Sequence, residues 1–261
     1  MTKKQFNKEV SNFKRKLSAE GVLPPNHEKE DTLFCFSRIL EENRKYIPKL
    51  YRYCRTESIE SLEKEELYLS TMNMMNDIFE GDIINVIQHQ RNCQVVEFAS
   101  ETYLKSFSEK KNDILMFAHY ANSFKGICVE YDFSCGPEAV LKYLFPVAYA
   151  QNPFESISDV ISRNSKYFYL RKAKDWAHEK EWRFLMTKDE AKELGINDNK
   201  INLFHCIKAV YLGVRVNEND KKDIVKRLSP YTAVYETKMC EGKYAIEVIG
   251  EENNYGPPDF R

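Results

Sequence analysis

Hydrophobic residues recur along this chain with two periods, and the changes between them mark the elements. From residue 2 to 20, Phe6, Val10, Phe13 and Leu17 fall at helical spacing, and Gly21 with Pro24-Pro25 ends the run. A second helix is expected from Asp31 to about Tyr46, ahead of Pro48. Beyond Lys49 the period shortens. Strands are predicted at 50–54 and 67–71, with a charged helix at 56–66 between them. A helix over 82–100, a strand over 102–107, and a helix over 112–122 with Asn112 as its cap come next. Residues 124–132 alternate as a strand, and 136–144 and 155–171 read as helices. The C-terminal part is predicted to hold a strand at 207–214, a helix at 219–228, and a hairpin pairing 232–239 with 243–249 around Gly242.

Strands and helices mix without strict βαβ alternation, which points to an α+β fold around a mixed or antiparallel split sheet with surrounding helices. The expected organisation is an N-terminal helical extension (1–48), one domain over 49–250, and a flexible tail at 251–261.

Composition narrows the function classes. The chain has 261 residues, 43% of them hydrophobic, enough for a proper core. A net charge of −1 excludes a uniformly basic surface and leaves local patches, of which Lys3, Lys4, Lys8, Lys14, Arg15 and Lys16 in the first helix are the clearest. No apolar run is long enough to span a membrane and the start has no apolar signal core, so the expectation is a cytoplasmic protein without a membrane partner. Seven cysteines never stand in C-x-x-C spacing and five histidines are scattered, so no metal site is expected. With nine glycines and neither G-x-G-x-x-G nor a P-loop, kinase, P-loop and Rossmann chemistry are poor fits.

The segment Trp176-Ala-His-Glu-Lys-Glu-Trp-Arg-Phe-Leu-Met186 carries the strongest chemical signal. Read as one strand, it places Glu179, Glu181 and Arg183 on one face and Trp182, Phe184 and Met186 on the other. Two carboxylates beside an arginine suit a charged site. The competing expectation is a solvated sheet face with Glu181 and Arg183 as a surface ion pair.

Leu50-Tyr51-Arg52-Tyr53, Asn76-Asp77-x-Phe79-Glu80, Ser106-Phe107-Ser108-Glu109, Leu115-Met116-x-Ala118-His119-Tyr120-Ala121 with Gly126, Trp176-x-x-Glu179-x-Glu181-Trp182-Arg183 and Tyr211-Leu212-Gly213 occur in an order that resembles a bacterial family catalogued as a domain of unknown function, number 2971. The resemblance runs from about 49 to 249. Ile78 replaces a usual proline and Phe117 a usual tryptophan.

An arginine on a first strand, Ser-Thr on a second and Glu-x-Glu leading a later one are also similar to mono-ADP-ribosyltransferases of the arginine–serine–glutamate type. That resemblance implies an ADP-ribosyltransferase-like fold and NAD as substrate. Arg52 would hold the diphosphate, with Ser70 and Thr71 as the second-strand hydroxyls. Tyr53 or Tyr120 would stack on nicotinamide. Glu181 would stabilise the positive ribose of the transition state, and Glu179 would orient the nucleophile. The implied activity modifies a macromolecule, protein or nucleic acid, as a toxin or phage-defence effector with a neutralising antitoxin partner. Two alternatives remain open: a Mg²⁺-dependent nuclease or hydrolase using Asp77, Glu80, Glu179 and Glu181, or a non-catalytic nucleotide- or peptide-binding module. Asp77 and Glu80 also fit a helix cap, and His119 a packed helix histidine.

Overall fold

The structure is a computed structural model. It describes residues 1–18, 26–71, 74, 75, 77, 100–151, 166–196, 199–203, 205–230 and 232–249. In chain order the helices are α1 (Lys3–Ser18), α2 (Asn26–Glu42), α3 (Ile59–Glu63), α4 (Ile114–Tyr120), α5 (Glu138–Leu141), α6 (Lys188–Glu193) and α7 (Glu218–Leu228). The strands are β1 (Leu50–Cys54), β2 (Glu66–Tyr68), β3 (Ser70–Thr71), β4 (Thr102–Ser108), β5 (Ile127–Tyr131), β6 (Leu144–Pro146), β7 (Ala148–Ala150), β8 (Arg171–Ala173), β9 (Glu181–Thr187), β10 (Lys200–Asn202), β11 (Ile207–Leu212), β12 (Ala233–Met239) and β13 (Ile246–Val248). The architecture is α+β, with mixed rather than barrel-closed sheet.

The chain divides into two compact units. The first comprises 1–47, 68–106 and 138–200, and the second 48–67, 107–137 and 201–261. The helical segment expected to stand apart as an extension is built into the first unit. Phe13 of α1 stacks on Phe36 of α2 with ring centroids 4.1 Å apart, and on Phe145 of β6 at 6.1 Å. Phe6, Leu17, Leu33 and Leu40 are buried with them. Asp31 lies inside α2 rather than at its start.

Within this first unit the strand order is β4–β9–β6, with β3 antiparallel on β4. A short parallel ribbon pairs β7 with β8, setting Tyr149 opposite Lys172. Thr187 and Glu190 form a reciprocal capping box that ends β9 and opens α6.

The second unit carries the order β13–β12–β11–β5–β1, antiparallel except for β11 with β12. Alternation gives its sheet two faces. Leu50, Val129, Tyr131, Val210, Leu212 and Val234 share one, and Tyr51, Tyr53, Cys128, Ala209, Tyr211 and Ala233 share the other with Met116 and Phe117 of α4. Gly126 is required where backbones cross, since a Cβ there would lie 2.2 Å from the Cys54 carbonyl oxygen. The expected hairpin forms between β12 and β13, and Gly242 takes the positive φ its turn needs.

Three sequence expectations change. Asp113, not Asn112, caps α4, accepting from the amides of Leu115 and Met116, while Asn112 adopts φ 55°. Residues 166–170 form a 3₁₀ turn and Arg171 opens β8, while 155–165 lie outside the described residues, as do all but Ser100 of the helix expected over 82–100. The strand expected over 176–186 is broken: Lys174–Glu179 is a 3₁₀ helix, Lys180 turns the chain at φ 47°, and β9 begins only at Glu181.

Candidate functional site

That turn builds the site. Because Lys180 is left-handed, Glu179 and Glu181 do not share a strand face by alternation; both instead converge on one ammonium. Lys172 Nζ, delivered by β8, lies 2.7 Å from Glu179 Oε2 and 3.1 Å from Glu181 Oε2. Arg183 holds Glu181 from the other side, with Nε donating to Oε1 at 2.7 Å and Nη2 to Oε2 at 3.0 Å. Its Nη1 donates to the Tyr169 carbonyl at 2.5 Å. The Tyr149 hydroxyl accepts from the Glu181 amide at 2.7 Å, and the Lys172 ammonium stands 5.0 Å from the centre of the Trp176 ring.

The quartet is neutral in sum and almost wholly removed from water. Lys172 is 7% exposed, Glu179 3%, Glu181 2% and Arg183 0%. The solvated face with a surface ion pair is therefore overturned: both faces of β9 are buried, Trp182 and Phe184 on the other side included. Burial alone would push the Glu181 carboxyl up. The charges of Arg183 and Lys172, with hydrogen-bonding from Arg183 and Ser106, outweigh it and hold the carboxyl down at about 2. Glu181 is thus a carboxylate at neutral pH, unsuited to acid catalysis, and its charge is answered by Arg183 and Lys172. Burial and the Glu181 charge push the Tyr149 phenol far upward, so it stays protonated.

Ser106 extends the site across the sheet. Its hydroxyl lies near enough to Glu181 to help hold that carboxyl down, yet its buried oxygen has no well-formed hydrogen bond. Ser70 pairs with Leu104, two residues from Ser106 in β4, so Ser70, Ser106 and Glu181 occupy one side of β3–β4–β9. Two strand spacings separate β3 from β9, about 10 Å. Thr71, opposite Tyr103, faces the other way.

The remaining candidates divide differently. Arg52, Tyr53 and Tyr120 belong to the second unit, and Ser70, Thr71, Glu179 and Glu181 to the first. Arg52 and Tyr53 are neighbours in β1 and therefore point to opposite sides of its sheet, so one surface cannot use both. Arg52 acts electrostatically on Tyr131, whose phenol burial raises to about 12 against the pull of that guanidinium. Tyr53 is committed internally. Its hydroxyl donates to the Lys110 carbonyl at 2.8 Å and accepts from the Asp113 amide at 2.9 Å, and its ring meets Phe117 edge-on. Tyr120 packs against the same cluster.

For the metal alternative, Asp77 is buried and Glu80 lies outside the described residues. Among the described residues no group of three or more His, Cys, Asp or Glu could hold a metal ion, and no helix is long and apolar enough to cross a membrane.

Sequence reasoning missed Lys172 and gave Ser106 no role. Lys172 lies between the helix expected over 155–171 and the segment that begins at Trp176, where a lone lysine carries no signal. Ser106 stood within a quoted motif, and its polarity in the middle of an apolar strand was the available clue.

No curated protein and no solved structure matches the chain. Residues 116–184, which include Lys172, Glu179, Glu181 and Arg183, match the model of a family described as "Protein of unknown function (DUF2971)". The match spans about a quarter of the chain, which over that stretch is similar to the family.

Proposed function

We propose that the chain is an NAD-consuming ADP-ribosyltransferase whose working carboxylate is Glu181. The observation that carries this reading is the charge state of Glu181: a carboxyl held at about 2 by Arg183 and Lys172 and fixed at the start of a buried strand. Breaking the nicotinamide–ribose bond builds positive charge on the sugar, and a rigid anion beside the ribose lowers that barrier. Ser106 and Ser70, on the same side of the sheet, supply hydroxyls for the ribose, and Glu179 would orient the incoming nucleophile.

Access to Glu181, 2% exposed, would require one of its two cations to move. Arg183 grips Glu181 through two bonds from the same strand, whereas Lys172 reaches it by one longer contact. Displacement of the Lys172 ammonium, which has Glu179 and the Trp176 ring to retreat to, would leave Glu181 Oε2 held by Arg183 alone, with a second lone pair for a ribose hydroxyl. The acceptor macromolecule, and a role as toxin or phage-defence effector, belong to the same proposal.

Near-complete burial of all four charges favours a second reading, in which the quartet is a structural clamp and the protein a non-catalytic binding module. Incubation with NAD carrying label in its nicotinamide ring separates the two. The transferase releases nicotinamide above the buffer rate, and a further incubation with label in the adenylate half marks a macromolecular acceptor. A clamp releases none.

A further inference from the structure

Helix α1 segregates its charges. Six cations against Glu9 give it +5, which leaves −6 for the rest of a chain whose net charge is −1. At 100° per residue, Lys4, Lys8 and Arg15 fall within about 40° of one another, with Ser11 beside them. This stripe lies roughly opposite Phe6, Phe13 and Leu17, which are buried at 1%, 4% and 0% exposure. All four stripe residues are exposed, and among the described residues no acidic side chain pairs with Lys4, Lys8 or Arg15. The stripe is about 17 Å long, from eleven steps of 1.5 Å.

We propose that this face of α1 binds the sugar–phosphate backbone of a nucleic acid. Three exposed cations about 6 and 10.5 Å apart along the helix, with Ser11 between the second and third, are complementary in charge to the phosphates of a nucleic-acid strand and offer a hydroxyl beside them. A lipid surface is disfavoured because the apolar stripe that would enter a bilayer is spent on the core: Phe13 is stacked against Phe36 and Phe145. Phe145 pairs with Arg183 across β6–β9, so α1 packs on the side of the sheet that carries Glu181. A nucleic acid held by the stripe is thereby anchored to the unit that holds the quartet. The contact requires no NAD turnover and stands or falls separately from the transferase reading.

Fluorescence anisotropy with labelled 20-nucleotide single-stranded RNA and DNA, without NAD, tests the proposal over 50–200 mM salt. The full chain should bind, with log Kd rising with log salt. The K4E/K8E/R15E chain should bind at least tenfold more weakly, with the salt slope reduced by about 2, as expected for three lost phosphate contacts on a single strand. K125E/K222E/K226E, with the same charge change on exposed lysines elsewhere, should retain the affinity. Equal loss in both variants would overturn the proposal. So would absence of binding at 50 mM salt, equal competition by polyglutamate, or a preference for vesicles of anionic phospholipid. Thermal melting of each variant confirms that the fold is retained.

Discussion

Two buried carboxylates, one in each unit, are kept in opposite ways. Glu181 is answered chiefly by charge: a guanidinium and an ammonium, both themselves buried, with a second carboxylate to balance them. Glu130, 4% exposed, is answered by a hydroxyl and a lysine that reaches water. Tyr211 donates to its Oε2 at 2.7 Å, and Lys49, whose side chain is 56% exposed, reaches Oε1 at 2.5 Å. The difference teaches where stability alone explains the residues present. The Glu130 arrangement is an inexpensive way to finish a polar spot on a sheet. A four-charge cluster gains little over apolar packing of the same volume, yet becomes costly once one member is removed. Stability alone therefore accounts less well for the quartet than for Glu130, and the quartet is where the proposed chemistry is to be tested.

Breaking the comparison begins at its strongest point. Arg183→Met leaves Glu181 and Glu179 sharing a single ammonium in a dry site and should cost about 3–5 kcal/mol, measured by denaturant unfolding. The double substitution Arg183→Met/Glu181→Leu should recover part of that loss. A single-variant cost under about 1 kcal/mol would mean the cluster is wetter than its burial indicates.

Acid separates the regions next. Glu181 has a folded pKa of about 2, below the value of about 4.3 for an unfolded glutamate. Its contribution is fully present above the unfolded value and is lost as pH falls from there through about 2. Melting temperature should therefore drop over that window, and Glu181→Gln should flatten the drop. A variant as acid-sensitive as the parent would assign the loss to other carboxyls.

Smaller effects belong to the second unit. Tyr211→Phe removes one hydrogen bond to a buried carboxylate and should cost about 2 kcal/mol. Lys49→Ala removes a half-exposed lysine from a buried carboxylate that keeps its Tyr211 hydrogen bond, and should cost about 1 kcal/mol. If the lysine proved as costly as Arg183, the contrast between the two carboxylates would vanish.

Much of the second unit was legible from the chain because its strands alternate cleanly and its turns announce themselves. Leu50–Cys54, Ile127–Tyr131 and the Gly242 hairpin follow period-two patterns bounded by recognisable breakers. The first unit hid its site. Lys180 adopts φ 47° with no glycine or asparagine to signal it, so the 3₁₀-to-strand corner read as continuous strand. Lys172 comes from a ribbon whose pairing with β7 is non-local, and no local pattern encodes that contact. Arg52 and Tyr53 were assigned to one site, which β-strand geometry forbids once both are in the same strand.

The measurement that tests the central claim most directly is nicotinamide release from NAD by the parent chain and by Glu181→Gln, each shown by melting to be folded at the assay temperature. The account predicts release by the parent and none above buffer by the folded variant. Equal release by both, or none by the parent, would contradict it.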